Sequence, residues 1–423
     1  MTKLYFDCRD LLRAVRLGWS GKKMALSFCG LIVAYLGYAI LSYVALLAGG
    51  RGFGEIWRTY DLYPWISGAG FPWYTWVIYV VGILFAIVVL FWFSTAVAKV
   101  TYRQLKGDDF YSMGDARKYV KKNWKAAVFS PVVLFGMIAF LVVCGIIIGL
   151  LGRIPYVGEL GFSLGLLFIF AVSLFVMFLG IVFLVSMILT PAIVGITGED
   201  TLETVIQLFS TVWSQPWRLV LYEALLGIYN AIATAILTVL SFGALLLIHW
   251  ASGLLMGALH MVPKMDLITG IAVRLLPTKC SILGELVGLF KGLYLPEIVT
   301  SADIRGTVLV SGWIAGITLV LLLFFVLSYS FSICSAGQSL IYLILRKKKD
   351  DENLLEKKDQ EEEEEERQRE EEERKREEEK KKEEEAKKEE EEEKKKEEAE
   401  KAEEEPQGKG SEESEEEKQE EEK

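Results

Sequence analysis

The chain has 423 residues, of which 52% are apolar and 24% charged, and the two groups are segregated along the sequence. Residues 347–423 contain 40 acids and 22 bases, a net charge of −18, whereas residues 1–346 contain 16 acids and 24 bases, a net charge of +8. This segregation excludes the soluble protein of two or three globular domains that the length alone would suggest. The composition instead predicts a basic membrane body followed by a highly charged tail.

The N-terminal residues 1–23 precede the first apolar run and are rich in Lys and Arg. We predict a cytoplasmic interfacial helix here, which begins near Asp7 and reaches the edge of the bilayer at Trp19. The apolar run that follows is longer than the apolar core of a cleaved signal peptide. It is therefore expected to remain as the first membrane span.

Six apolar runs reach the length of roughly 20 residues that a helix needs to cross the hydrocarbon core. They cover residues 24–48, 73–98, 128–151, 161–190, 219–248 and 307–345. The third run is expected to end at Arg153 and Pro155, and the fourth at Pro191. Residues 24–346 are thus predicted to form an all-α integral membrane domain.

The predicted outer loop, residues 249–306, is the longest connection between spans. Its segment 251–295 is apolar enough to leave a short re-entrant segment open as an alternative. Between Pro263 and Arg305 we expect one or two short helices that lie on the outer leaflet or cap the bundle, because prolines separate short amphipathic pieces there.

Lys and Arg in the short loops predict the orientation of the spans. The N-terminal segment and the loop that follows the second span are strongly basic, and the last span ends at Arg346 followed by three lysines. The first two outer loops hold only Arg51, Arg58 and Arg153. Both termini are therefore expected to be cytoplasmic, which agrees with an even number of spans.

A threefold internal repeat is suggested by similar segments ahead of the first, third and fifth spans. They begin at Asp7, Ser112 and Asp200, each with an acid three residues later, and they reach Trp19, Trp124 and Trp213. We predict three pseudo-repeats, each an interfacial amphipathic helix followed by a transmembrane hairpin. The alternative is a chance placement of tryptophans near span ends. The predicted interfacial anchors are Trp19, Trp124, Trp213 and Trp217.

Polar side chains inside the spans are few, and such groups are costly unless they are used. Glu223 lies near the cytoplasmic end of the fifth span, where it is expected to reach water or Arg218; the alternative is a gating or ion-binding carboxylate. Asn230 and Gln338 are the other candidate functional residues, although neutral polar groups in spans more often join helices by hydrogen bonds.

Motifs for catalysis, metal binding or cofactor binding are missing from the sequence. His249 and His260 have no Cys or carboxylate at ligand spacing, and the five cysteines are widely separated. We therefore predict no catalytic residue, no metal site and no cofactor. The aromatic segment 57–76 is predicted to belong to the outer interfacial belt, with a ligand-stacking surface as the alternative.

The tail alternates short blocks of Glu with blocks of Lys and Arg, and it contains many Glu–Lys and Glu–Arg pairs at i and i+4. Such pairs stabilise a solvated helix by about 0.2–0.5 kcal/mol each. We predict a charged helix within residues 347–405, starting near Asp351 and ending before Pro406, and a disordered acidic segment over 406–423. A disordered tail throughout is the alternative, and the missing apolar heptads disfavour a coiled coil.

These features predict a non-catalytic anchor or scaffold that presents its charged tail to a cytoplasmic protein through residues 351–423. The alternative function is that of a transporter or channel-like protein for a small apolar or lipid-like substrate. The expected partner of the body is the lipid bilayer, and no nucleic-acid partner is expected. The segments 97–125 and 191–222 resemble those of uncharacterised bacterial multi-pass proteins, a resemblance that implies no function. The expected location is a bacterial cytoplasmic membrane.

Overall fold

The computed structural model describes residues 4–66, 70–256, 264–275 and 306–356, together with residues 367, 373–376 and 382 of the tail. Within residues 4–356 the described parts form helices and turns without a strand. The helices are α1 (Cys8–Leu11), α2 (Arg13–Gly18), α3 (Gly21–Ala48), α4 (Phe53–Tyr60), α5 (Trp73–Lys106), α6 (Met113–Leu151), α7 (Val157–Thr197), α8 (Thr201–Ser214), α9 (Pro216–Met256), α10 (Lys264–Arg274) and α11 (Thr307–Asp350).

Six of these helices, α3, α5, α6, α7, α9 and α11, are long and apolar enough to cross a membrane. The predicted six-span, all-helical body is thereby confirmed at this level. Most of these helices are longer than the predicted spans, because the chain continues them at one or both ends. α6 begins at Met113, so the predicted interfacial helix before the third span and the span itself form one continuous helix.

Proline does not end the fourth span, and the prediction that α7 stops at Pro191 is wrong. The helix continues through this buried proline to Thr197 and ends at Gly198, which has the left-handed conformation typical of a helix C-terminus. A proline inside a helix removes one backbone hydrogen bond, and helices packed inside membrane proteins tolerate this loss when neighbouring groups compensate for it. Pro131 likewise lies inside α6.

The second helices of the three hairpins form the centre of the bundle, because α5, α7 and α11 each contact the other two. α3 packs against α5 and α11, and α6 packs against α5 and α7. α9 packs against α11 and the short helix α8. Close approach of α5 and α7 requires a glycine, since a Cβ at Gly195 would lie 2.8 Å from the Cβ of Ala98.

The N-terminal segment is two short helices rather than one, with a break at Leu12. The segment packs along α11. At its start, the Lys348 ammonium pairs with the Asp7 carboxylate, and at its end the Ser332 hydroxyl donates to the Gly18 carbonyl (2.9 Å). Lys348 and Ser332 are separated by about 24 Å of helix. The segment therefore runs along α11, and Gly18 allows this contact because a Cβ there would lie 2.6 Å from Ile333.

Side-chain capping occurs at only one of the three predicted helix starts. The Ser112 hydroxyl accepts a hydrogen bond from the Asp115 backbone N–H (3.1 Å), as a capping box requires. Asp7 and Asp200 occupy N-cap positions but make no side-chain cap bond. Asp10 instead accepts a hydrogen bond from the Phe6 N–H (2.7 Å).

In the predicted outer loop, α9 continues to Met256, and α10 packs against α9 and α11. Gly312 and Gly316 of α11 face α10, where an added Cβ would lie 2.7 Å from Ile271 and 2.3 Å from Leu275. α10 is thus one of the short helices expected in this loop. The remainder of the predicted re-entrant and amphipathic pieces, residues 257–263 and 276–305, lies outside the described residues.

At the start of the tail, residues 347–350 form the last turn of α11, and Asp351 has a left-handed backbone conformation (φ 54°). Residues 351–356 are not helical, so the charged helix does not begin at Asp351. The described tail residues 367, 373–376 and 382 are helical. Residues 360–423 form a unit separate from residues 1–359, and the predicted disordered segment 406–423 lies outside the described residues.

Candidate functional site

The four predicted anchor tryptophans all expose a large part of their rings. Trp19 ends α2 and packs edge-on against Tyr329 of α11, with ring centroids 5.0 Å apart. Trp213, near the end of α8, packs in the same way against Phe178 of α7 at 5.4 Å. Trp124 lies in α6 and Trp217 in the first turn of α9. An interfacial position suits tryptophans that are exposed to this extent, and it remains a prediction.

Two of the candidate polar residues lie in direct contact. The Gln338 side-chain amide on α11 donates a hydrogen bond to the Glu223 carboxylate on α9 (2.7 Å). Glu223 was expected to reach water or Arg218, and the bond to Gln338 is the one that the described residues provide. The side-chain oxygen of Gln338, Oε1, is buried and has no hydrogen-bond partner among those residues.

The third candidate, Asn230, lies two helical turns further along α9. Its amide donates to the Ser330 hydroxyl (2.9 Å) and contacts the Cys334 sulfur (3.3 Å), both on α11. The Thr234 hydroxyl donates in turn to the side-chain oxygen of Asn230, Oδ1 (3.3 Å). We call the groups that join α9 and α11 in this way, Glu223, Asn230, Thr234, Ser330, Cys334 and Gln338, the polar seam.

The polar seam brings together all three candidate residues, which the sequence placed on the fifth and sixth spans without a register between them. Its bonds fix α9 against α11, because buried donors and acceptors are costly when unpaired. α11 is also joined to α5, where the Ser335 and Ser94 hydroxyls lie 2.9 Å apart. The chemistry available in the seam is hydrogen bonding around one carboxyl group.

A second constellation surrounds the end of α11, and we call residues 346–355 the tail root. The Lys348 ammonium lies 3.0 Å from the Asp7 carboxylate and 3.1 Å from the Tyr222 hydroxyl of α9. Arg346 pairs with Asp350 (3.0 Å) and Glu352 (3.3 Å). These contacts connect the tail root to the N-terminal segment and to α9.

The tail root is also attached to the body by its two leucines. The Tyr102 hydroxyl of α5 donates to the Leu354 carbonyl (2.8 Å), and Leu355 is only 4% exposed. Leu355 belongs to the main apolar core together with Leu11, Tyr222 and Tyr342. Sequence reasoning treated Leu354 and Leu355 as part of the tail. The signal that could have identified them is an apolar pair standing alone in a charged segment.

One further contact near the end of α11 was not anticipated. Gln207 of α8 hydrogen-bonds to both Glu199 and Tyr342, and Tyr342 lies one turn before the tail root. Because Tyr342 is 1% exposed, this bond lies within the packed core. α8 is thereby connected to the same end of α11 as the N-terminal segment.

Buried bases form another group that hydropathy alone did not distinguish. Lys23, Lys99 and Arg103 are almost completely covered, and the Lys99 ammonium lies 4.1 Å from the ring centroid of Tyr119. Arg103 faces the Tyr111 ring at 5.5 Å. Aromatic faces attract cations, so these contacts tie the start of α6 to the end of α5.

The aromatic segment 57–76 is held against the body by tyrosines of α3. Tyr35, Tyr38 and Tyr43 donate hydrogen bonds to backbone carbonyls of Leu62, Pro64 and Asp61, respectively. Burial raises the pKa of Tyr63 in this loop to about 12, because the phenolate form loses its hydration there. These contacts make the loop part of the packed structure.

Among the described residues, no group of three or more His, Cys, Asp or Glu could hold a metal ion. The polar seam and the tail root are therefore the two constellations of polar side chains on which a function can be argued. No protein-family model, curated protein or solved structure matches this chain.

Proposed function

We propose that this protein is a non-catalytic membrane anchor or scaffold, which holds its charged tail at the cytoplasmic face and presents it to a protein partner. The observation that carries the proposal is the tail root. Two elements of the body contact Lys348, and a third binds the Leu354 carbonyl. The start of the tail is thus fixed to several parts of the bundle.

The energetic argument supports a fixed attachment. Leu355 is buried in the main core, and complete burial of a leucine side chain contributes about 1.5–3 kcal/mol. The Tyr102 bond to the Leu354 carbonyl adds roughly 1 kcal/mol. The ion pairs of Arg346 and Lys348 are partly exposed and contribute little. Apolar burial, more than charge, holds the root in place.

The tail that follows suits a role as a presented charged element. Its Glu–Lys and Glu–Arg pairs at i and i+4 stabilise a helix without any apolar partner. A strongly charged helix of this type keeps its surface in water and offers a long pattern of charges to a partner. The proposed interaction region is residues 357–423, since residues 346–355 belong to the tail root.

The proposed orientation places both termini in the cytoplasm and the body in a bacterial cytoplasmic membrane. Its support is the excess of Lys and Arg in the N-terminal segment, at the end of α5 and the start of α6, and at the end of α11. The polar interactions of Lys348, Tyr102 and Gln207 lie on this same side of the bundle. Tags at the N-terminus and at Gly54 should respectively be protected from and accessible to a reagent outside intact cells. The opposite labelling pattern would reverse the orientation.

The proposed threefold repeat is supported by the way the helices contact each other. The segment before each hairpin packs against the hairpin that precedes it in a closed cycle. α8 contacts α6 and α7, the start of α6 contacts α5, and α2 contacts α9 and α11. A chance distribution of tryptophans would not require this cyclic order.

The function is tested by affinity capture of the full chain from membranes, with quantitative mass spectrometry of the bound proteins. A truncation after Glu356 removes the tail and keeps the whole tail root. A second variant replaces residues 357–423 with a Gly/Ser segment of equal length, which controls for size. The anchor proposal expects one partner set that binds the full chain and is lost from both variants. Equal capture by all three proteins contradicts it.

A transporter for a small apolar or lipid-like substrate is the second candidate, and the polar seam favours it. Glu223 is a carboxyl group inside a membrane bundle, and groups of this kind often belong to transport pathways. In proteoliposomes, such a transporter would lose transport with Glu223→Ala and keep transport after truncation at Glu356. The anchor expects the seam variant to retain the partner set and the truncation to lose it.

A further inference from the structure

Two apolar grooves open on the surface of the body. The first has a volume of about 620 Å³ and lies between the α2–α3 junction and α11. Its walls are formed by Trp19, Met24 and Phe28 on one side and by Leu321, Leu322 and Phe325 on the other. Both α3 and α11 are candidate membrane spans.

The second groove has a volume of about 670 Å³ and lies between α7 and α8. Phe175 and Phe178 of α7 form one wall, and Ile206, Phe209 and Trp213 of α8 form the other. The Phe178 ring packs against Phe209 at 5.9 Å and against Trp213 at 5.4 Å. The wall of this groove is therefore a set of aromatic rings in mutual contact.

The two grooves have the same plan although their residues differ. Each lies between a candidate span and a segment that ends in a tryptophan, and each Trp ring packs edge-on against an aromatic ring of that span. Polar lining is limited to Thr318 in one groove and Ser210 in the other. The Thr318 hydroxyl donates to the Ile314 carbonyl of its own helix (3.0 Å), so it is not directed to a ligand.

An exposed arginine lies close in sequence to the tryptophan of each groove. Arg16 is exposed one turn before Trp19, and Arg218 is exposed five residues after Trp213. Trp side chains favour the boundary between headgroups and hydrocarbon. An arginine near that boundary is attracted to the anionic lipids of the cytoplasmic leaflet. A molecule with an apolar chain and an anionic head suits an apolar groove that has an arginine close to its tryptophan.

We propose that each groove binds the acyl chain of an anionic phospholipid from the cytoplasmic leaflet, with its headgroup at Arg16 in the first groove and at Arg218 in the second. The volumes fall within the range of about 300–1,000 Å³ usual for small-ligand sites. The inference rests on the proposed orientation, and it does not depend on whether the protein is an anchor or a transporter.

Native mass spectrometry of the full chain, extracted into a mild detergent and mixed with phosphatidylglycerol or phosphatidylcholine, tests this proposal. We expect about two phosphatidylglycerol molecules to be retained per chain and a clear preference over phosphatidylcholine. Equal retention of the two lipids would overturn the proposal, because the arginines would then select nothing.

Filling variants test the grooves one at a time. Ala25→Phe occupies the first groove and Ser210→Phe the second, and each is expected to remove about one retained lipid. Ala231→Phe on the exposed face of α9 lies outside both grooves and is the matched control, with no expected loss. Unchanged retention when both grooves are filled would overturn the proposal.

Charge variants address the headgroup without altering the apolar walls, so they avoid the risk of misfolding. Arg16→Gln and Arg218→Gln should each reduce the preference for phosphatidylglycerol at their own groove by about fivefold, as expected for the loss of one cation near an anionic surface. Retention of the full preference in the double variant would overturn the assignment of these arginines. Orientation is measured separately by the tag experiment, which distinguishes failure of the site from failure of the topology.

Discussion

In α7, residues 157–178 and residues 179–197 are both strongly apolar, but they differ in what surrounds them. The first half exposes most of its large side chains, such as Leu164, Leu167 and Phe168, at 79%, 81% and 71%. The second half is packed by α5, α6, α8 and α11, and Leu189, Ile193 and Val194 are fully buried. Apolar composition therefore identifies a segment that avoids water, without telling whether lipid or protein covers it.

Polar residues occur in both halves of α7. The packed half of α7 contains Ser186 and Thr190, both fully buried, and the neighbouring part of α11 contains Ser332, Gln338 and Ser339. Such groups are tolerated where other helices or the backbone can satisfy them. The exposed half contains Ser163 and Ser173, and each of these hydroxyls donates to a carbonyl of its own helix (2.9 Å). Serine therefore occurs on both kinds of surface of this helix.

The largest expected effect comes from a cavity in the packed half. Leu189→Ala should lower the free energy of unfolding by about 2–5 kcal/mol, since the side chain is completely buried in the main core. Leu167→Ala removes the same atoms from the exposed half and should change it by less than about 0.5 kcal/mol. Unfolding of purified protein by dodecyl sulfate, followed by circular dichroism, measures both. Equal losses would contradict the division of α7 into two halves.

Overpacking should give a smaller loss. Gly195→Leu introduces a side chain where even a Cβ would lie 2.8 Å from the Cβ of Ala98 and 3.0 Å from the Thr95 carbonyl oxygen. Forced shifts of this kind cost about 1–3 kcal/mol. Gly161→Leu in the exposed half meets no atom within 4 Å of its Cβ and serves as the control. The same unfolding measurement applies, and a stable Gly195→Leu variant would show that α5 and α7 are further apart than described.

The smallest effect concerns a single hydrogen bond to the packed half. The Tyr119 hydroxyl of α6 donates to the Val194 carbonyl (2.8 Å), which also accepts from the Gly198 N–H. Because that carbonyl keeps one partner, Tyr119→Phe should cost only about 0.5–1 kcal/mol. Tyr156→Phe, at the exposed start of α7, should be neutral. A neutral Tyr119→Phe together with a costly Tyr156→Phe would reverse the comparison.

Sequence patterns predicted the six spans because a run of about 20 apolar residues has few other uses. They failed at the helix boundaries, where no local signal decides the outcome. A proline usually ends a helix, but tertiary packing around the turn that contains Pro191 keeps α7 continuous to Thr197. The segment before α6 was recognised as helical, yet nothing in the sequence told that it would fuse with the span that follows.

The candidate residues were predictable by type and not by partner. Glu223, Asn230 and Gln338 were chosen because polar groups in spans are rare, and the structure places all three in the polar seam. Which residue bonds to which depends on the register of α9 against α11, and one sequence contains no measure of that register. The tail root was missed because its charges resemble those of the tail.

The left-handed conformation of Asp351 bears on how a pull on the chain beyond Glu356 would reach the helices of the body. A helix continuous from α11 into the charged segment would act as a lever, and torque on it would turn α11 directly. The break at Asp351 interrupts that lever. Pulling on the chain beyond Glu356 loads Leu354 and Leu355 first, and through them α5 and the core shared with the N-terminal segment and α9. Such a pull would therefore be shared among several helices of the body.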